Sequence, residues 1–202
     1  MNLTAINKEL RDKSPKEIVQ WALYAAKRPV VTTNFRPYEA AILHATSQIK
    51  QDLKIIWCDT GYNTSYTYKH AEELIHQLGL NIHLYVPKQT TAHRDVVLGI
   101  PGLDDPNHAK FSEQVKLEPF KRAMEEHKPD VWFTNLRKGQ TALRDTLDIV
   151  SLSEDGVLKV SPFYHWSDEE LDSYLKAHKL PNEERYYDPT KLLSNRECGI
   201  HK

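Results

Sequence analysis

Cysteine and glycine are both scarce in this chain of 202 residues, which holds two of the first and seven of the second. Cys58 and Cys198 stand far apart and no Cys-x-x-Cys pair exists. That argues against a disulfide framework, a structural zinc site or an iron–sulfur cluster. Long apolar runs are missing as well: none approaches the roughly 18–20 residues a membrane-spanning helix needs. The opening Met1-Asn2-Leu3-Thr4 lacks a basic stretch followed by an apolar one, so no secretory signal is visible and a cytoplasmic setting is expected. Net charge is nearly absent, −1 from 27 basic and 28 acidic residues. Neither nucleic acid nor an anionic membrane is attracted by such a balance, and an anionic ligand needs a local cluster of cations. The ten histidines form no His-x-His or His-Glu-x-x-His spacing, and there are no internal repeats or low-complexity segments.

What is present describes a globular domain. Hydrophobic residues make up 40% and charged residues 27%, and a chain of this length buries a core without staples. Ser14-Pro15-Lys16-Glu17 predicts a helix start, with Ser14 as cap, Pro15 at the first turn and Glu17 closing a capping box. That helix is expected to reach about residue 27. Strands are predicted at residues 29–33, 53–58, 81–86 and 131–134. Helices are predicted at residues 37–49, 66–78 and 117–127, and a loop at 99–110. Residues 147–152 and 157–160 flank Ser153-Glu154-Asp155-Gly156 as a hairpin. Ser167-Asp168-Glu169-Glu170 opens the last helix with a second capping box. Alternation of strand and helix predicts an α/β fold, three layers deep, with a mostly parallel twisted sheet between helices.

In such sheets ligands bind at the carboxyl ends of the strands. Three polar clusters fall there: Thr32-Thr33-Asn34, Asp59-Thr60-Gly61 and Asn135-Leu136-Arg137. Amides and hydroxyls in the first suit an anion at a helix N-terminus. Taken by itself the segment favours simple capping, since no glycine opens a close approach for phosphate. Asp59 suits a ribose hydroxyl or an adenine amino group as well as it suits a turn that bonds its own backbone. Arg137 and Arg144 stand seven residues apart with Gln140 between them. On a helix both would share a face and clamp an oxyanion; on a solvated face they would pair with Asp145 and Asp148.

Cys198 lies in Arg196-Glu197-Cys198-Gly199-Ile200-His201-Lys202. Arg196, His201 and Lys202 favour a thiolate there, and Glu197 opposes it. Cys58 reads as an inert core thiol. His70 and His76 read as surface or interface residues. Tyr62, Tyr66 and Tyr68 read as packing at a helix start, one of them near enough to Asp59 to touch a base.

Taken together, these residues resemble the phosphoadenosine phosphosulfate (PAPS) reductases of the adenine nucleotide α-hydrolase-like superfamily. Glu197-Cys198-Gly199-Ile200-His201 is similar to that family's Glu-Cys-Gly-Leu-His. Asp59-Thr60-Gly61-Tyr62 resembles its Asp-Thr-Gly-Tyr, and Lys116-Leu117-Glu118-Pro119 leads into a segment similar to its Val-Glu-Pro-Leu-x-Arg-Ala. Leu136-Arg137 through Gln140 to Arg144 resembles Leu-Arg-Arg-x-Gln-Ser-x-x-Arg, and Lys159-Val160-Ser161-Pro162 with Trp166 resembles Lys-Val-x-Pro-x-x-x-Trp. The match covers about residues 15–180, with the tail match separate. A domain over residues 1–180 and a tail over 181–202 are expected.

The resemblance implies that PAPS is the substrate and Cys198 the nucleophile, with His201 beside it. It implies contacts from Thr32, Thr33, Asn34, Phe35, Arg36, Asp59, Thr60, Gly61, Arg137, Gln140 and Arg144. Thioredoxin or glutaredoxin would supply electrons, no metal or iron–sulfur cluster would take part, and a homodimer is among the implied assemblies. The chain departs from the family in two places. Where the family's phosphate loop has glycine, this chain has Arg36 followed by Pro37 and, further on, Glu39. Arg36 either holds the anion itself or closes the site by bulk. The stretch between Tyr187 and Arg196 is also short. A diverged paralogue that takes another adenine nucleotide, or a non-catalytic nucleotide- or partner-binding protein, is the alternative reading.

Overall fold

The computed structural model describes residues 1–102 and 104–191. A six-stranded sheet has the order β3-β2-β1-β4-β6-β5. Its strands are β1 (Pro29–Thr33), β2 (Lys54–Cys58), β3 (Asn81–Tyr85), β4 (Val131–Phe133), β5 (Val150–Leu152) and β6 (Leu158–Val160). All neighbours are parallel except β5 and β6, which form the expected antiparallel pair. The chain runs outward from β1 through β2 to β3, then returns to place β4 on the other side of β1. The reversal leaves a crevice at the carboxyl ends of β1 and β4, where no crossover connection covers the sheet.

Period-two alternation along the strands divides the core. Val31, Ile55, Trp57, Val131, Phe133 and Val160 face one layer. That layer is built from α1 (Leu3–Leu10), α2 (Pro15–Ala25), α3 (Glu39–Ser47), α4 (Ser65–Leu78) and α9 (Asp168–Ala177). Val30, Ile56, Cys58 and Trp132 face the other, against Ala123 of α7 (Glu118–His127). The capping boxes at Ser14 and Ser167 both form. His70 is buried on the inner side of α4, and burial lowers its pKa; it is not the surface residue that its helical spacing suggested.

Four short helices escape the hydrophobic pattern: α1, α5 (Thr91–Val97), α6 (His108–Ser112) and α8 (Ala142–Asp145). Most span too few turns for a 3.6-residue period to show. Helix α6 also ends the predicted 99–110 loop early. It runs through one π turn, Glu113–Leu117, into α7. Pro119 accounts for that turn: it has no N–H for the carbonyl four residues back, and the ladder switches to a five-residue step from Glu118 N to Glu113 O. No helix among the described residues is long and apolar enough to cross a membrane.

Helix α1 closes the sheet at its β5 edge. The buried Asn7 amide donates to Val150 O at 2.9 Å and accepts from Val150 N at 2.8 Å, as a neighbouring strand would. Asn7→Ala leaves both backbone groups unpaired and is expected to lower unfolding stability by about 1–3 kcal/mol in urea denaturation.

Candidate active site

The crevice between β1 and β4 contains a cavity of about 60 Å³. Thr32, Thr33 and Asn34 from β1 and its following loop line it, with Thr60 after β2 and Thr134 and Asn135 after β4. All three polar clusters predicted at the strand ends therefore reach one place. The first contributes all three of its residues and each of the others contributes one. Trp132 Nε1 donates to Thr32 Oγ1 at 2.8 Å, which fixes that hydroxyl against the neighbouring strand.

The loop from β1 to α3 is tightly wound. Phe35 and Tyr38 adopt positive φ of 53° and 67°, a conformation that costs a residue with a side chain energy. The Phe35 ring compensates by burying completely, edge-on to Trp57 with centroids 4.8 Å apart. It belongs to the core and does not line the cavity. Arg36 does line the cavity. Its Nε donates to Glu39 Oε1 at 2.9 Å and its Nη2 to Asn135 O at 2.8 Å, which ties the loop to the end of β4.

Asp59 serves its own turn. Its Oδ1 accepts from Gly61 N at 2.9 Å, Asn63 Nδ2 at 2.8 Å and Tyr68 Oη at 3.0 Å. Burial, reinforced by this carboxylate, pushes the Tyr68 phenol up to about 12. Gly61 is required by geometry: φ is +78°, and a Cβ would lie 2.3 Å from Thr91 Oγ1. Of Asp59, Thr60 and Gly61, only Thr60 lines the cavity.

Arg137 and Arg144 do not form a clamp. A turn through residues 138–140 separates them, and α8 begins only at Ala142, capped by Thr141, so the helical spacing of seven is never realised. Buried Arg144 lines the cavity and donates to Gln140 Oε1, which also accepts from Arg137 N at 3.1 Å. Arg137 lies outside the lining: its Nη1 meets Asp168 Oδ1 at 2.6 Å and its guanidinium stacks on Tyr38 at 5.2 Å. Gln140 is thus a positioning residue for Arg144 and not a member of the wall.

Cys58, Lys116, Tyr186, Asp188 and Lys191 are among the lining residues that the sequence pattern did not single out. Lys116 is carried inward by the π turn and forms a buried ion pair with Asp188. Burial raises the Asp188 pKa, but the Lys116 charge and the Thr190 hydrogen bonds outweigh it and hold the carboxyl below its ordinary value. Tyr186 Oη accepts from Asn34 Nδ2 at 2.7 Å, and burial raises its phenol. Cys58 is pushed up to about 12, chiefly by burial, and is a neutral thiol at neutral pH. Lys116 had one signal in sequence, its place just before Glu118-Pro119. The other polar members come from a segment with no periodicity. Among the described residues, four cations, Arg36, Lys116, Arg144 and Lys191, line the cavity with two carboxylates, Glu39 and Asp188. Cys198 and His201 lie outside the described residues.

Comparison with known proteins places this geometry in context. Residues 28–188 match the phosphoadenosine phosphosulfate reductase domain. A phosphoadenosine 5′-phosphosulfate reductase from Synechococcus sp. is 33% identical over 185 residues, 89% of this chain and 78% of that protein. One from Xylella fastidiosa (strain M12) is 34% identical over 227 aligned positions, covering all of this chain and 94% of its own. That alignment is longer than this chain, so the relative carries residues that have no counterpart here. The crystal structure of phosphoadenylyl-sulfate reductase from Candida auris, a phosphate complex, superposes with a TM-score of 0.79 at 25% identity. It matches 90% of this chain and 87% of its own.

The Lys116–Asp188 pair sets a pH dependence. A carboxyl with a depressed folded pKa contributes stability that is complete above its unfolded value, near 3.9, and is lost as pH falls through the folded one. Asp188→Asn is expected to cost about 3–5 kcal/mol at pH 7 by leaving the Lys116 ammonium uncompensated. In parallel urea titrations the gap between variant and parent should narrow steadily below about pH 4.

Proposed function

This chain belongs to the phosphoadenosine phosphosulfate reductase family and is an oxidoreductase of that class; on that footing we propose that it reduces 3′-phosphoadenylyl sulfate to sulfite at the crevice between β1 and β4. The observation that carries the reading is the set of cations there. Arg36, Lys116, Arg144 and Lys191 outnumber the two carboxylates, at the strand ends where an α/β sheet holds its ligands. An excess of positive charge, supplied by the half-buried Arg36 and Lys191 beside the buried Lys116 and Arg144, suits a phosphosulfate and the nucleoside phosphate that leaves it.

In this reading the Cys198 thiolate attacks the sulfate sulfur. An S–S bond forms, the bond from sulfur to the bridging phosphate oxygen breaks, and adenosine 3′,5′-bisphosphate departs with the electron pair. A dithiol of the thioredoxin or glutaredoxin class then attacks Cys198 Sγ and displaces sulfite. Its second thiol resolves the mixed disulfide and returns Cys198 to the thiolate. The sulfur is reduced by two electrons and the dithiol is oxidised to a disulfide, so no metal is needed. His201, three residues beyond the nucleophile, supports the thiolate. Cytoplasm, where thiols stay reduced, is the setting that suits this chemistry.

Reach supports the assignment. Lys191 lines the cavity, and Cys198 follows it by seven residues, at most about 23–25 Å of extended chain. Size imposes a condition. A nucleotide site holds roughly 300–1,000 Å³, far more than the cavity at hand. Substrate entry therefore displaces residues 186–191 from the crevice, parting the Tyr186–Asn34 and Asp188–Lys116 contacts.

The test pairs binding with turnover. Adenosine 3′,5′-bisphosphate is expected to raise the melting temperature of the parent and of Cys198→Ser alike. Sulfite release from 3′-phosphoadenylyl sulfate with reduced thioredoxin is expected only from the parent. Turnover surviving in Cys198→Ser would remove the nucleophile from the scheme. A thermal shift with ATP but none with either 3′-phosphorylated nucleotide would remove the substrate.

A further inference from the structure

The geometry points to Glu39 as a specificity-determining residue: its carboxylate acts as a built-in anion that holds the donors of the β1–α3 loop and shuts free inorganic phosphate and sulfate out of the site. Glu39 is the first residue of α3 and is almost completely buried, in a position that lines the cavity. Three donors converge on its two oxygens. Thr33 Oγ1 and Asn34 N donate to Oε2 at 2.8 and 2.9 Å, and Arg36 Nε donates to Oε1 at 2.9 Å. A hydroxyl, a backbone amide and a guanidinium at the head of a helix make an oxyanion site in every chemical respect. Here the oxyanion is the protein's own.

Three further amides of the loop are occupied as well. Phe35 N donates to Thr33 Oγ1 at 3.0 Å, Tyr38 N to Asn182 Oδ1 at 2.9 Å and Glu39 N to Arg36 O at 3.2 Å, while Pro37 has no N–H. A free phosphate or sulfate arriving at this loop meets a negative charge already seated on the groups it needs. The tethered carboxylate competes as an intramolecular ligand, at an effective concentration that a dissolved ion cannot match. A nucleotide differs, because contacts made by its other parts contribute to displacing Glu39 or to settling beside it. Arg36 is the natural complement. It replaces the missing loop glycine with a cation, and Glu39 neutralises that cation whenever the site is empty.

The value of such selectivity to the reaction rests on the proposed reductase reading, since inorganic sulfate shares the chemistry of the group to be reduced. The exclusion itself does not, and it is tested with inorganic phosphate as the probe. Isothermal titration of phosphate into the full chain is expected to show no saturable binding in the parent. Glu39→Ala should show affinity at least about tenfold higher than the parent, as a charge-assisted site becomes vacant, and Arg36→Ala added to it should abolish the gain. If Glu39→Ala does not fold, Glu39→Gln carries the test. One amide oxygen cannot serve Arg36 on one side and Thr33 with Asn34 on the other, and a smaller gain is expected. Equal phosphate affinity in parent and folded variants, or saturable binding by the parent, overturns the proposal. Adenosine 3′,5′-bisphosphate titrated in parallel separates the two ideas. A phosphate gain with no nucleotide binding in any variant leaves Glu39 standing and removes the reductase reading. Nucleotide binding with no phosphate gain does the reverse.

Discussion

Charge brought into a small crevice has to be balanced where it lies, and that requirement organises this site. Arg36 is matched by Glu39 and buried Lys116 by Asp188, while Arg144 is held by the Gln140 side chain. An ammonium or guanidinium taken from water carries a large desolvation cost, and leaving it there without a carboxylate partner costs several kcal/mol more than leaving it paired. The two carboxylates reach the crevice from different parts of the chain. Glu39, the first residue of α3, lies only three residues beyond Arg36. Asp188 comes from a segment more than seventy residues beyond Lys116, and brings the path of the main chain with it.

The second counter-charge therefore has a structural consequence that the first lacks. Residues 182–188 are pinned across the rim at successive points: Asn182 on Tyr38 N, Arg185 O on Thr64 Oγ1, the Arg185 guanidinium over Tyr66, Tyr186 on Asn34 and Asp188 on Lys116. An incoming anion offers Lys116 the same charge that Asp188 does. On the proposed reading, substrate binding and release of this segment are one exchange of counter-ions, with the main-chain displacement coupled to it. Glu39 works without any such displacement, which suits it to discrimination at an otherwise unchanged loop.

Much of the architecture was legible because burial imposes periodicity. The strands at residues 29–33, 54–58, 81–85 and 131–133 stand within a residue of their predicted bounds, and the two capping boxes form where Ser14 and Ser167 announce them. The site was legible in outline, since strand ends of a parallel sheet converge by topology. Its membership was harder. Asp59 and Arg137 have the chemistry of ligands, yet the folded chain gives their hydrogen bonds to Gly61, Asn63 and Tyr68 in one case and to Asp168 in the other. Lys116 stood just ahead of the predicted 117–127 helix with nothing to mark it as a cavity residue; it lies within the π turn before Pro119, where it is buried.

The sequence by itself determined the layer order, the capped helices, the crevice at the strand ends and the family to which the chain belongs. Those properties follow from local propensity and from apolar residues recurring at the strand and helix periods. Tertiary structure decided which polar groups face the cavity and which are spent holding turns. It also decided that the loop glycine's replacement would be neutralised by Glu39 and that residues 186–191 would lie in the crevice. Such choices depend on the pairing of charges distant in sequence, and a hydrogen-bonding side chain carries no mark of the partner it will meet.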